Sequence, residues 1–443
     1  DKALSVVEQI ERSSTIGTSL PLIRAWARAP LVDHSQSLEA LAPYEGRSEW
    51  RIVYSIMAAM LNEYYGRKEA ALVYYRALAK NLDRQPLSVL RVVAEGFHRL
   101  GKKEEATIAV NYYRSRRGSI MWEGFLSRYE DPDQAPEKVT VQMGMAEALY
   151  AITRVRMGTA RRPFGLQISL VYAHLALYLN PDLEQLYQEV ADAIAAQGQY
   201  EAANEMLEEL SPGDAGYLVS RLRMAENLER DGKTDNAIEL LKELARLRPN
   251  LPEPLISVGD ILRSHQRFFE AVDAYDQAFA RYPDNKPESW ALYYTRGIAL
   301  ERTQQWDRAE QDFKQALELN PEEANVLNYL GYSWLDRGEN VSEARRLIEL
   351  AVSKKPESGF IVDSLGWAMF LMGEYEDAVV QLERAVNLEP SDATINEHLG
   401  DAYWKVGRKN EARFQWRRAL TMGPEDEAAS DIRKKMEQGL VQN

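Results

Sequence analysis

The chain has 443 residues, of which 45% are hydrophobic and 28% charged, with no Cys, five His and a formal net charge of -14. It is about three times as long as a usual single domain, so it either divides into domains or repeats a small unit. The lack of Cys excludes disulfides, thiolate zinc sites and cysteine nucleophiles. The negative charge disfavours nucleic acid as a partner, because phosphate binding needs a basic surface. No apolar stretch reaches the length of about 18 residues that a transmembrane helix needs, so none is predicted.

Residues 1–50 form a separate N-terminal segment, because they lack the periodic pattern of the rest of the chain. Leu4, Val7 and Ile10 share one face of a short predicted amphipathic helix, and residues 20–29 and 37–41 are also predicted to be helical. Two interpretations remain open: a cap over the first repeat, or a docking arm that uses these three apolar residues. The chain begins at Asp1 and not at Met, which leaves room for a leader or a lipid anchor upstream.

From residue 51 onwards one small unit recurs along the chain. About ten units begin near residues 51, 87, 141, 184, 218, 252, 290, 324, 359 and 393, and together they cover residues 51–424. An irregular insert at 121–139 interrupts the series, and surplus residues at 157–165 are expected to separate the two helices of the third unit. Residues 425–443 are predicted to form a C-terminal capping helix or tail.

The last two units show the period most clearly. Seven residues of the last unit each lie 34 positions after their counterparts, namely Leu399, Gly400, Tyr403, Ala412, Trp416, Ala419 and Pro424. This is the period and pattern of tetratricopeptide (TPR) repeats, each of which is a pair of helices, A and B. The sequence therefore predicts an all-α fold, a superhelical TPR solenoid of about ten helix-turn-helix repeats.

The residue types of the unit suit this packing. Small residues at the eighth and twentieth positions, such as Gly366 and Ala378, are expected to let helices A and B approach closely. The proline that follows helix B ends it, and Asp392 after Pro390 is placed to cap the next helix. Each hairpin is unstable alone and buries its apolar face on its neighbours.

Motifs for catalysis are missing from the sequence. The five His are far apart, at positions 34, 98, 174, 265 and 398, and no pair has the spacing of two metal ligands on one helix. There is no phosphate-binding loop and no nucleophile elbow. We predict no catalytic residue, no metal, no cofactor and no small-molecule substrate.

A surface for protein binding is the functional feature that remains. Helix A lines the inner groove of a TPR solenoid, and the groove positions of the last three repeats are Asn328, Tyr332, Asp363, Trp367, Glu397, Asp401 and Trp404. Aromatic residues beside carboxylates suit protein recognition. The same aromatic residues would also serve to fill a tight superhelix, so both interpretations stay open.

Two stretches are more specific than generic TPR sequence. One comprises residues 327–338 (LNYLGYSWLDRG) with 363–368 (DSLGWA), and the other runs from 395 to 404 (INEHLGDAYW) and on to 414–416 (FQW). They resemble the long TPR lipoproteins of the Gram-negative outer membrane, of the LbcA type, which partner carboxyl-terminal processing proteases. This specific likeness covers about residues 320–424.

The resemblance implies a non-enzymatic periplasmic adaptor that binds the processing protease and delivers peptidoglycan hydrolases to it as substrates. Such an adaptor raises the local concentration of substrate at the protease by binding both. The lipidated Cys of the family has no counterpart here, since it would lie before Asp1. A TPR scaffold for outer-membrane secretion or polysaccharide assembly is the alternative, and it differs only in its partner.

Overall fold

The computed structural model describes residues 19–115, 137–159, 163–214 and 216–440. In these ranges the chain forms 23 α-helices and no β-strand, and the helices follow one another as TPR-type hairpins. The predicted all-α repeat fold is therefore confirmed. The chain divides into two compact units, residues 1–246 and residues 247–443.

The first unit contains two short N-terminal helices and five hairpins. Its helices are α1 (Leu20–Arg28), α2 (His34–Glu39), α3 (Arg51–Tyr64), α4 (Lys68–Ala79), α5 (Leu87–Arg99), α6 (Lys103–Ser115), α7 (Val141–Thr159), α8 (Pro163–Leu179), α9 (Glu184–Ala195), α10 (Tyr200–Glu208), α11 (Tyr217–Arg230) and α12 (Thr234–Leu247). Of the predicted insert at 121–139, only residues 137–139 lie in the described part of the chain.

The N-terminal helix α1 packs on the first repeat and on α7. Trp26 of α1 is fully buried, and its indole Nε1–H donates to Sδ of Met57 at 3.3 Å. The same indole occupies the place where a Cβ of Gly144 would stand, so a glycine is required at this position of α7. Leu4, Val7 and Ile10 lie outside the described residues, and their role as a docking arm stays a prediction.

The third hairpin departs from the regular repeat in length. Helices α7 and α8 have 19 and 17 residues, because the surplus residues extend both helices. Helix α7 continues to Thr159 and α8 begins at Pro163, where a proline in the first turn costs no hydrogen bond. The expectation that the whole of 157–165 separates the two helices is therefore wrong.

Helix α7 also runs antiparallel to α5, whereas helices A of successive TPR repeats run in the same direction. The guanidinium of Arg154 donates to the Ser88 hydroxyl, and the guanidinium of Arg91 pairs with Glu147. From Ser88 to Arg91 the residue numbers on α5 rise, whereas those of their partners on α7 fall from Arg154 to Glu147. Both members of the Arg91–Glu147 pair are buried, so removing one of them would leave a buried charge without its partner.

The second unit contains five regular hairpins and a last helix. Its helices are α13 (Glu253–Ser264), α14 (Phe268–Phe279), α15 (Trp290–Arg302), α16 (Trp306–Leu319), α17 (Ala324–Asp336), α18 (Val341–Lys354), α19 (Gly359–Leu371), α20 (Tyr375–Leu388), α21 (Ala393–Lys405), α22 (Lys409–Thr421) and α23 (Asp426–Gln438). Each helix A starts within one residue of the predicted start of its repeat. As the sequence indicates, Asp392 caps α21, with its carboxylate accepting from Ile395 N–H at 2.9 Å.

A glycine of helix A faces a large side chain of helix B in each hairpin of the second unit. The pairs are Gly259 with Tyr275, Gly297 with Phe313, Gly331 with Ile348, Gly366 with Leu382, and Gly400 with Trp416. A Cβ at Gly366 would lie 2.6 Å from Cγ of Leu382, far inside van der Waals contact. The large side chain that requires this glycine therefore belongs to Leu382 of α20.

We therefore expect Gly366→Ala to destabilise the last repeats by roughly 1 to 3 kcal/mol, because the added methyl group overpacks the contact with Leu382. Urea unfolding followed by circular dichroism measures this loss, and hydrogen exchange locates it. Gly213→Ala is the control, since a Cβ at Gly213 meets nothing within 4 Å. Equal stability of the two variants would contradict the packing described here.

Candidate functional site

The seven predicted groove residues lie on helices α17, α19 and α21 of the second unit, but they fall into two groups. The first group comprises Asn328 and Tyr332 of α17 with Asp363 and Trp367 of α19, and the carboxylate of Asp363 lies near the hydroxyl of Tyr332. The second group is Glu397, Asp401 and Trp404 of α21, and these side chains contact the C-terminal helix α23.

The first group is organised around the half-buried indole of Trp367. This ring stacks on the imidazole of His398 at a centroid distance of 4.0 Å and on Phe370 at 4.7 Å. The buried carboxylate of Asp363 pairs with Nδ1 of His398 at 3.0 Å. The ion pair therefore joins α19 to α21 and holds the indole in one orientation.

Tyr332 and Asn328 lie one helical turn apart on the same face of α17. Burial, together with the nearby carboxylates of Asp363 and Asp336, raises the pKa of Tyr332 to about 12, so its hydroxyl stays protonated. The buried Oδ1 of Asn328 accepts no hydrogen bond from any described residue. A buried acceptor without a donor is costly to the fold.

The second group is occupied by the chain itself. Lys435 of α23 donates to Glu397 Oε1 at 2.7 Å and to Asp401 Oδ2 at 2.6 Å. Burial raises the pKa of Asp401, while Lys435 and the Trp416 indole N–H oppose that shift. Gly439, directly after α23, lies against the ring of Trp404. These three predicted residues thus hold the last helix in place in the described structure.

An apolar stripe on α19 was missed by the sequence analysis. Phe360 and Leu371 are 55% and 48% exposed, and they flank the half-buried Trp367 at helical spacings of seven and four residues, which places all three on one face. We call these three residues the α19 stripe. Large exposed apolar side chains in such a row are typical of protein interaction sites.

The sequence carried a signal for this stripe. The positions equivalent to Phe360 and Leu371 are the exposed polar residues Asn325 and Asp336 in α17, and Thr394 and Lys405 in α21. Only α19 of these three helices is apolar at both ends of its open face. The stripe therefore has a polar helix on each side, which is the usual anatomy of an interface core and rim.

Apart from these two groups and the α19 stripe, which are not sites of chemistry, the described residues show no cluster of side chains that resembles a catalytic or metal site. Within those residues, no group of three or more His, Asp or Glu side chains could hold a metal ion. Among the helices in the described ranges, none combines the length and the hydrophobicity of a membrane-spanning segment.

The Asp363–His398 pair predicts a dependence of stability on pH. Burial alone would lower the pKa of His398, but Asp363, with Asp401 and Glu397 nearby, raises it above its usual value of 6.5. A raised pKa contributes stability that is complete below pH 6.5 and disappears as the pH rises through the folded-state value. The nearby cation Lys435 is bound to Glu397 and Asp401.

We accordingly expect the chain to lose more stability between pH 6 and pH 9 than the variant His398→Gln, which cannot titrate. Urea unfolding of both proteins over this range measures the difference, so that other titrating groups cancel. A parallel pH dependence of the two proteins would show that His398 is not charged in the fold.

Comparison with known proteins agrees with this architecture. Residues 220–250, 258–311 and 294–358 match the family model described as tetratricopeptide repeat, and residues 366–407 match the model described as TPR repeat. Within residues 220–407 the repeated hairpins are tetratricopeptide repeats, which typically form non-enzymatic scaffolds for protein binding.

Individual relatives are distant. The TPR repeat-containing protein PA4667 of Pseudomonas aeruginosa is 28% identical over 198 residues, which are 44% of this chain and 32% of that protein. Protein O-mannosyl-transferase TMTC1 of Homo sapiens is 27% identical over 44% of this chain and 21% of its own length. This chain thus spans a third or less of these relatives. A crystal structure of a tetratricopeptide repeat protein from Parabacteroides merdae is 18% identical and has a TM-score of 0.47, covering 58% of this chain and 99% of that one.

Proposed function

We propose that this chain is an adaptor whose α19 stripe binds a carboxyl-terminal processing protease, and that it presents peptidoglycan hydrolases to this protease as substrates. The observation that carries the proposal is the exposure of Phe360 and Leu371 beside Trp367. A soluble surface seldom keeps such a row uncovered, and a buried aromatic centre with an apolar surround is the usual anchor of an interface.

The cluster around Trp367 supports binding in a second way. Its ring is already ordered by His398 and Phe370, so a partner that contacts it immobilises few additional rotamers. A segment with apolar side chains fits this surface.

The identity of the partner rests on the resemblance of residues 327–338, 363–368 and 395–416 to the LbcA-type lipoproteins. On this proposal the protein works in the periplasm, and a lipid anchor upstream of Asp1 would hold it at the outer membrane. Its contribution to proteolysis is to hold substrate and protease together, which raises the effective concentration without any chemistry in this chain.

We expect the double variant Phe360→Ser with Leu371→Ser to weaken binding of the purified, catalytically inactive processing protease by about thirtyfold. Loss of hot-spot contacts costs roughly 2 kcal/mol, which corresponds to this factor. Both side chains are already largely exposed, so the melting temperature should change little. Biolayer interferometry measures the affinity, and cleavage of a peptidoglycan hydrolase by the active protease should slow in parallel.

The matched control is the double variant Val380→Ser with Phe414→Ser. These residues are 60% and 61% exposed on the B helices α20 and α22, so the chemistry of the change is similar and only the location differs. If both double variants bind the protease like the wild type, the α19 stripe is not the binding site. If the wild type does not bind the protease at all, a pull-down from periplasmic extract with mass spectrometry tests for secretion or polysaccharide-assembly partners.

A further inference from the structure

The first unit contains a half-open cavity between α3, α5 and α7. Its volume is about 200 Å³, and its lining includes Glu49 and Pro86, which lie just before α3 and α5. The walls are mainly aliphatic, and they are formed by Ile52, Val53, Ile56, Val89, Val92 and Val155. The antiparallel direction of α7 creates this space, because it brings the second half of α7 against the first halves of the other two helices.

The charged groups at the base and side of the cavity are already engaged. Glu147 pairs with Arg91, which also pairs with Glu95 at 3.0 Å, and all three side chains are at least three-quarters buried. Arg154 donates to Ser88 and lies 3.8 Å from Glu189. Each of these charged groups thus has a partner of opposite sign within the chain.

The mouth of the cavity differs from its interior, because Glu49 lies there exposed. Its carboxylate contacts the Ser48 hydroxyl at 3.4 Å, and no described Lys or Arg lies within ion-pair distance of it. In a chain with a net charge of -14, this residue adds an unneutralised negative charge beside an apolar opening. A cationic group next to an apolar side chain is complementary to that arrangement.

We propose that this cavity takes an aromatic side chain from a partner protein, in a segment that carries Lys or Arg beside the aromatic residue. An apolar cavity of about 150 Å³ accommodates benzene, so the volume here fits one aromatic ring. Glu49 selects the basic neighbour, and the aliphatic walls supply the contact. The site lies in the first unit and does not involve the α19 stripe. A negative result for one of the two proposed binding sites therefore leaves the other proposal standing.

The N-terminal residues 1–18 of this chain are a less suitable occupant. They contain no aromatic residue, and their apolar side chains are aliphatic. Residues 116–136 do contain Trp122, Phe125 and Tyr129, so occupation by the chain itself is an outcome that the test has to distinguish.

The test uses the full chain and the peptide acetyl-Gly-Lys-(4-fluoro-Phe)-Lys-Gly-amide, observed by ¹⁹F NMR. We expect the fluorine signal to broaden and shift on titration with the wild type. Ala151→Trp fills the cavity from α7 and should weaken binding at least tenfold. Ala151→Leu fills less of the cavity and should cause a smaller loss of peptide affinity. This variant replaces Ala151→Trp in the test if the Trp variant does not fold.

Two controls make the result specific. Ala193→Trp places the same ring at a half-buried alanine of α9 and should leave binding unchanged. Glu49→Gln should weaken the Lys-flanked peptide by roughly two- to fivefold, the range of an exposed ion pair, and should not weaken the peptide with Gln in place of Lys.

Three outcomes would overturn the proposal. The first is equal binding by the wild type and both folded Ala151 variants. The second is a wild type that binds no peptide while the double variant Trp122→Ala with Phe125→Ala binds it, which would assign the cavity to the chain's own residues. The third is absence of binding by all of these proteins, which would show that the cavity takes no basic aromatic segment.

Discussion

The close approach of two helices at a glycine is the contact on which the repeats of the second unit depend. In each hairpin the glycine of helix A leaves room for a Tyr, Phe, Ile, Leu or Trp side chain of helix B. Because a Cβ at the glycine would overlap this side chain, the spacing between the helices allows little variation. The regular spacing then places the A helices of successive repeats side by side, and this brings Asp363 of α19 and His398 of α21 into contact.

The regular stacking of A helices produces two features, namely buried polar pairs between repeats and exposed apolar surface on a single repeat. Where a polar pair is buried between A helices, it joins one repeat to the next, as the Asp363–His398 and Asp401–Lys435 pairs do. Where an A helix carries apolar residues at positions that nothing covers, it leaves a surface for a partner, as Phe360 and Leu371 do on α19. Repeat proteins separate these roles in this way because each repeat contacts only its neighbours. In the first unit, the antiparallel α7 breaks the regular order and opens a cavity where a regular repeat would pack.

The local features of the chain were predictable from its sequence, and the features that depend on distant residues were not. The period located the start of each helix A to within one residue, because the pattern is a property of neighbouring positions. The side chain that faces Gly366 was not predicted, since spacing along one chain does not tell which residue of helix B contacts the glycine. The contacts of Trp404 with Gly439 and of Glu397 with Lys435 depend on where α23 lies, and no repeat pattern specifies that. The contact of Arg91 with Glu147 of α7 likewise joins residues that lie 56 positions apart in the chain.

Site-specific photo-crosslinking tests most directly whether the α19 stripe is the binding surface. The photoreactive residue p-benzoylphenylalanine replaces Phe360 in one protein and Phe414 in another, and each is irradiated with the inactive processing protease. These two aromatic residues are similarly exposed, one on an A helix and one on a B helix. The account predicts an adduct with the protease from position 360 and none from position 414. Adducts from position 414 alone, or from neither position while the two proteins still bind each other, would contradict it.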